Sequence, residues 1–286
     1  MTASIRTVDV TLIRDAVAAL CQRANYELGD DVQLALQASR SREENPLAGR
    51  VLDTIILNAR IASADRQPMC QDTGTAVVFI HLGQDVHLSG GNLRDAINEG
   101  VRHGYRDGYL RNSMVGDPLF SRKNTGDNTP AVIHFELTAG DQVQLTVMTK
   151  GGGAENMSRM QMLTPADGIA GVRAFVIETV ELAGSNACPP VIVGVGIGGT
   201  FDFAPLLAKQ ALLRRVGQPN ANPQLATFER ELLGAINALG IGPHGFGGST
   251  TALAVHVESY PTHIASLPVA VNLQCGPAAR HRSVVL

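Results

Sequence analysis

The chain has 286 residues, 44% hydrophobic and 17% charged, with 4% aromatics and no Trp. That is enough chain to bury a large, mostly aliphatic core, and the balance excludes a disordered segment. A net charge of −3 leaves no basic footprint for nucleic acid. Met1-Thr2-Ala3-Ser4-Ile5-Arg6 opens no apolar signal region and no run of about 18 apolar residues follows, so a cytoplasmic protein that does not span a membrane is expected.

In chain order, Val10, Ile13, Val17, Leu20 and Cys21 recur at helical spacing. They predict a helix over 10–28 with Cys21 on its buried stripe. A second helical stretch begins near Asp31. A third covers 46–64, with Leu47, Val51, Ile55, Ile56 and Ala59 as its face. These make a helical N-terminal portion of about residues 1–65. Residues 75–82 read as a strand and 92–110 as an amphipathic helix. The alternating runs 131–137 and 143–149, joined through Thr138-Ala139-Gly140-Asp141-Gln142, predict an antiparallel hairpin. A helix over 165–182 has Pro165 at its start and Gly184 past its end. A short buried strand follows over 190–195, then helical stretches over 202–216 and 223–239, then strands over 251–259 and 267–273. Helices and strands mix without regular βαβ alternation. The expected class is mixed α/β of the α+β type, as one domain over 1–286.

Three of the four cysteines stand alone in loop-like segments: Cys70 in Met69-Cys70-Gln71-Asp72-Thr73-Gly74, Cys188 in Asn186-Ala187-Cys188-Pro189-Pro190, and Cys275 in Leu273-Gln274-Cys275-Gly276-Pro277. Two disulfides would be the plain alternative, but a Cys-poor chain of this kind suits a reducing compartment. Three lone thiols from distant loops suit an iron–sulfur cluster that leaves one iron open to act as a Lewis acid. Beside Cys70, Asp72 can move a proton. Lys150-Gly151-Gly152-Gly153-Ala154-Glu155-Asn156 exposes backbone N–H groups that can approach an anion.

Gly194-Val195-Gly196-Ile197-Gly198-Gly199 has the dinucleotide form G-x-G-x-x-G. The acidic residue expected about 20 positions later is missing. A tight backbone turn near a cluster or substrate explains these glycines equally well. Gly242-Pro243-His244-Gly245-Phe246-Gly247-Gly248-Ser249 is a further glycine-rich loop. His263 lies in the loop before the strand that leads to Cys275, and the chain could fold it back toward a site. C-x-x-C, H-E-x-x-H and G-x-S-x-G patterns are absent.

Taken together, and in this order, Cys70-Gln71-Asp72-Thr73-Gly74, Lys150 to Gly153, Ala187-Cys188-Pro189-Pro190, Gly196 to Gly199 and His263 to Cys275 resemble the alpha region of the iron–sulfur hydro-lyases. These are the class I fumarases and L-tartrate dehydratases. The resemblance implies a 4Fe–4S cluster with one open iron, held by Cys70, Cys188 and Cys275. It also implies substrate binding by Gln71, Asp72, Arg111 and backbone near Gly152 and Gly153, and a proton-handling pair of Asp72 and His263. The Lys150 to Asn156 segment looks more like fumarase, so the expected reaction is reversible hydration of fumarate to malate. Dehydration of L-tartrate to oxaloacetate is the alternative. Single-chain members carry a second, C-terminal domain with further basic residues and a threonine base, whereas this sequence ends soon after Cys275. The resemblance therefore implies a hetero-oligomer, with a separate beta subunit completing the site around a dicarboxylate. Two other classes stay open: an NAD-linked oxidoreductase built on Gly194 to Gly199, and a non-catalytic cluster protein, for which Cys21 is the spare thiol.

Overall fold

The computed structural model describes residues 5–278 and 281–286. In chain order the elements are β1 (Arg6–Asp9), α1 (Val10–Tyr26), α2 (Asp30–Arg42), α3 (Pro46–Asp65), β2 (Thr75–Gly83), β3 (Val86–Ser89), α4 (Leu93–Asp107), β4 (Val132–Thr138) and β5 (Val143–Lys150). After these come α5 (Gly152–Asn156), β6 (Arg159–Leu163), α6 (Gly168–Ala183), β7 (Val191–Gly199), α7 (Phe203–Ala211), α8 (Pro223–Asn237), β8 (Ala252–Thr262), β9 (Leu267–Cys275) and β10 (His281–Val285). The expected mixture of helix and sheet is present. Among the described residues no helix is long and apolar enough to cross a membrane.

Contacts divide the chain into two compact units. Unit 1 takes the described residues up to Glu27, Ile61–Gly151 and the C-terminal strand; unit 2 takes Leu28–Arg60 and residues 152–278.

Unit 1 is a four-stranded sheet, order β10-β5-β2-β4, with α1 and α4 over it. The Asp9 side chain caps α1, accepting the Thr11 N–H at 2.8 Å. The predicted stripe holds, and Ile13, Val17 and Cys21 are fully buried. Helix α4 reaches α1 closely because Gly100 and Gly104 carry no side chain. A Cβ at either would come within 2.4 Å of the Arg14 carbonyl or 2.7 Å of the Ala18 carbonyl.

The predicted hairpin does not form. Strand β2 lies between β4 and β5, parallel to the first and antiparallel to the second. Its run of buried residues from Ala76 to Ile80 must be covered on both faces, so it takes the central place, and the 139–142 turn wraps its end. Gly83 N–H donates to the Gln142 carbonyl at 2.8 Å.

Unit 2 has three layers around a sheet of order β6-β9-β7-β8. Val191, Val193 and Val195 of β7 join Val176 and Phe175 of α6 and Phe228, Leu232 and Ile236 of α8 in one core. The alternate residues of β7 face α7. Gly194 and Gly196 belong to that strand and not to a strand–helix loop. A Cβ at either would stand 2.1 Å from a carbonyl of α7, Ala208 or Ala204. Close helix–strand packing thus accounts for these glycines, and the dinucleotide reading loses its basis. The predicted face of α3 is also displaced. Its buried stripe is Ala48, Leu52, Ile55, Ala59 and Ala62, with Leu47 exposed. The helical stretch predicted to 216 ends at Ala211.

Candidate functional site

In unit 1, Met69-Cys70-Gln71-Asp72-Thr73-Gly74 carries the chain from α3 into β2. Neighbours hold this loop by its backbone. The buried Tyr105 hydroxyl stands 2.8 and 2.9 Å from the Thr73 and Gly74 carbonyls. Asn128 Nδ2 donates to the Gly74 carbonyl at 3.1 Å, and Asn128 Oδ1 accepts the Ser113 N–H at 2.7 Å. The Thr73 hydroxyl donates to the Arg111 carbonyl at 3.0 Å. Arg111, exposed, is thereby tied to the Cys70 loop. Asp72 Oδ1 accepts the Gly74 N–H at 3.0 Å, an Asx turn that orients the half-buried carboxylate. The Cys70 thiol donates to Gln71 Oε1 at 3.3 Å.

Gly74 has φ +77°, and a Cβ there would stand 2.7 Å from backbone atoms of Lys150. The loop therefore lies against the end of β5, where Lys150 is only 2% exposed. A lysine this buried is uncommon. The sequence marks Lys150 only as the head of a glycine turn and gives Tyr105 and Asn128 no role. Tyr105 carries a local signal, its place on the α4 stripe; Asn128 carries none.

In unit 2, Cys275 is the cross-strand neighbour of Val191, and the Gly276 N–H donates to the Pro190 carbonyl at 2.9 Å. Cys188, exposed and left-handed at φ 55°, ψ 63°, comes just before β7. Two of the three candidate thiols thus share one end of the β7–β9 pair. Glycine-rich segments frame that end. His244 N–H donates to the Pro189 carbonyl at 2.7 Å. The same loop is anchored by Glu43, whose carboxylate accepts the Ser249 N–H at 2.8 Å and its hydroxyl at 2.9 Å. Burial opposes ionisation of Glu43, but donors from Asn45 and Ser249 outweigh it and hold the pKa below the ordinary value. Helix α5, which contains Gly152 and Gly153, packs beside residues 184–187. A Cβ at Gly153 would stand 3.1 Å from the Asn186 carbonyl.

His263 is placed elsewhere. It precedes β9, and Cys275 ends it. A strand of this length extends roughly 26 Å, so the chain carries His263 away from Cys188 and Cys275 instead of folding it back. It lines an open apolar groove of about 1020 Å³ with Ile169, Val172, Phe228, Ile264 and Leu267. Gly198 and Gly199 also close β7 at the end remote from Cys188, so they form no turn beside it.

Among the described residues no three His, Cys, Asp or Glu side chains stand together as a ready metal site. The donor chemistry nonetheless suits an iron–sulfur group. Cys70 and Cys275 are half-buried and Cys188 is exposed. Cys21 differs: burial in the α1–α4 core pushes its thiol up to about 12, which disfavours a thiolate ligand.

Comparison with known proteins agrees with this assembly of segments. The family model described as fumarate hydratase (Fumerase) matches residues 14–285. A protein of Methanocaldococcus jannaschii named putative L(+)-tartrate dehydratase subunit alpha is 41% identical over 268 residues, 92% of this chain and 94% of that protein. L(+)-tartrate dehydratase subunit alpha of Escherichia coli K12 is 32% identical over 277 residues, 96% of this chain and 91% of that protein. The namesake protein of Shigella sonnei has the same identity and coverage. Matched over nearly its whole length, the chain belongs to the fumarate hydratase (Fumerase) family of hydro-lyases.

Proposed function

We propose that this chain is the alpha subunit of a 4Fe–4S hydro-lyase that dehydrates L-tartrate to oxaloacetate. The observation that carries the reading is the placement of Cys188 and Cys275 at the same end of the β7–β9 pair, framed by glycine-rich segments, in a chain of this family. The alpha-subunit tartrate dehydratase names of its relatives favour this reaction over the fumarate hydration expected from the Lys150 to Asn156 segment. Hydration of fumarate to malate is kept as the second reading, because the family model bears that name.

Cys70, Cys188 and Cys275 would hold the cluster. When bound, it supplies Lewis acidity that polarises a substrate carboxylate and hydroxyl. The chain's own groups do the rest. Arg111 binds the other carboxylate through its fork of donors, and Gln71 orients it. The Gly152 and Gly153 amides offer N–H donors to carboxylate oxygens. Asp72, beside Cys70, holds or returns the proton at the hydroxyl that leaves as water. His263 is the expected proton-handling partner of Asp72, and within this chain it stands at the other end of β9 from Cys275. A separate beta subunit supplies the base for the C–H proton and the remaining cationic groups.

The test is anaerobic purification of the chain alone and together with a beta subunit. Iron, sulfide and rates on L-tartrate and fumarate are measured in the same samples. The chain alone should be inactive. The two-subunit enzyme should prefer L-tartrate by roughly tenfold or more in kcat/KM. A fumarate preference would move the second reading to first place. A cluster-loaded complex that turns over neither compound would overturn both.

A further inference from the structure

We infer that Glu155 is a positioning residue: gripped by Lys209 and Asn272, it holds the Gly152–Gly153 backbone against the strand that ends in Cys275. The proposed function enters only in what that backbone binds.

Helix α5 has five residues, too few to stabilise itself. Its first two, both glycine, bring no side-chain packing and the largest backbone entropy to be lost. Something outside must hold it: Ala154 packs into the core of unit 2, and the other fixing groups are polar. Glu155 Oε1 accepts from Lys209 Nζ of α7. Glu155 Oε2 accepts from Asn272 Nδ2 of β9 at 2.9 Å. One turn on, the Ser158 hydroxyl accepts the Leu273 N–H at 3.1 Å and donates to the Ala154 carbonyl at 3.2 Å. Thus α5 is fastened to two successive residues of β9 just before Cys275.

Packing alone does not call for these groups. The Lys209 side chain is 15% exposed, and Asn272 is 7% exposed with no partner for its Oδ1. Ala204, Ala208 and Ala270 with Gly194 and Gly196 form a close small-residue contact in the same layer between α7 and the sheet. The Lys209 ammonium, paired with a Glu155 carboxylate that is 41% exposed, gains little net stability there, and the orphaned Asn272 oxygen costs some. What the polar set achieves is a directional link between the Gly153 segment and the Cys275 strand.

The test uses Glu155→Gln and Lys209→Met, with Lys209→Arg as the conservative rescue. Amide hydrogen exchange over residues 151–158 is followed in the isolated chain. It should quicken at least about tenfold in the first two variants and not in the third. In the two-subunit enzyme, Glu155→Gln should raise KM for the dicarboxylate about tenfold and lower kcat less than about threefold. Iron content and Tm should stay near wild type. Unchanged exchange in Glu155→Gln overturns the inference whatever the activity. Faster exchange with an unaltered KM also overturns it, by reducing the clamp to a structural one. If the wild-type enzyme processes no dicarboxylate, the proposed function fails and the exchange result alone decides the clamp. Should Glu155→Gln not fold, Asn272→Ser removes one arm and is read the same way.

Discussion

Replacing Gly74 by alanine tests how the Cys70 loop is built. Two costs add. An L-residue at φ +77° pays about 1–2 kcal/mol for the left-handed backbone. The new Cβ would also stand 2.7 Å from Lys150 N, Lys150 C and Thr149 C. These are backbone atoms of β5, paired with β2 at Thr75 and Ala76, and cannot swing aside. Overpacking against such atoms costs about 1–3 kcal/mol more. Gly126→Ala separates the two, because Gly126 has φ +84° with nothing within 4 Å of its Cβ position. That variant should lose only the backbone term. Urea unfolding of both variants at fixed pH, with unchanged m, gives the difference directly. The Cys70 thiol should also react faster with a thiol reagent in Gly74→Ala, since the Tyr105 and Asn128 bonds to the Gly74 carbonyl would be displaced. Stability losses within about 0.5 kcal/mol of each other would refute the close approach of this loop to β5.

Three other outcomes are expected. Cys70→Ser, Cys188→Ser and Cys275→Ser should each lose iron and sulfide after anaerobic reconstitution, while Cys21→Ala keeps both at a cost of about 1 kcal/mol; full iron retention in Cys188→Ser counts against the ligand set. Asp72→Asn should lower turnover by roughly 10²-fold or more with iron content intact, and wild-type rates would remove Asp72 from the chemistry. His256, 2% exposed, has its pKa pushed from 6.5 to about 4, by burial first and the Arg214 charge second. The unfolded chain then takes up this proton before the folded one does. Stability from this group is full above about pH 6.5 and is lost as the pH falls toward about 4, by up to about 3 kcal/mol. Denaturation midpoints of wild type and His256→Gln across pH 4–7 should converge at the acid end; parallel curves would show that His256 does not set the slope.

Much of this protein is written in local pattern. The α1 stripe, the Gly184 end of α6 and the apolar runs of β2, β7 and β9 depend on residues a few positions apart, so periodicity and end signals suffice. The same is true of Cys21, whose helical spacing already separated it from Cys70, Cys188 and Cys275. Tertiary structure decided what depends on partners far along the chain. Strand β2 displaced a hairpin because burying both its faces outweighs a short turn between β4 and β5. Gly194 and Gly196 became packing positions because α7, a later element, crosses them. Strands β6 and β10 carry mixed polarity and exist through β9 and β5. The position of His263 was settled by β9 running extended between it and Cys275, and the burial of Lys150 by the Cys70 loop closing over the end of β5. In each case the deciding contact joins segments whose local patterns carry no sign of one another. Spacing therefore showed which residues form elements, and only packing showed which residues meet.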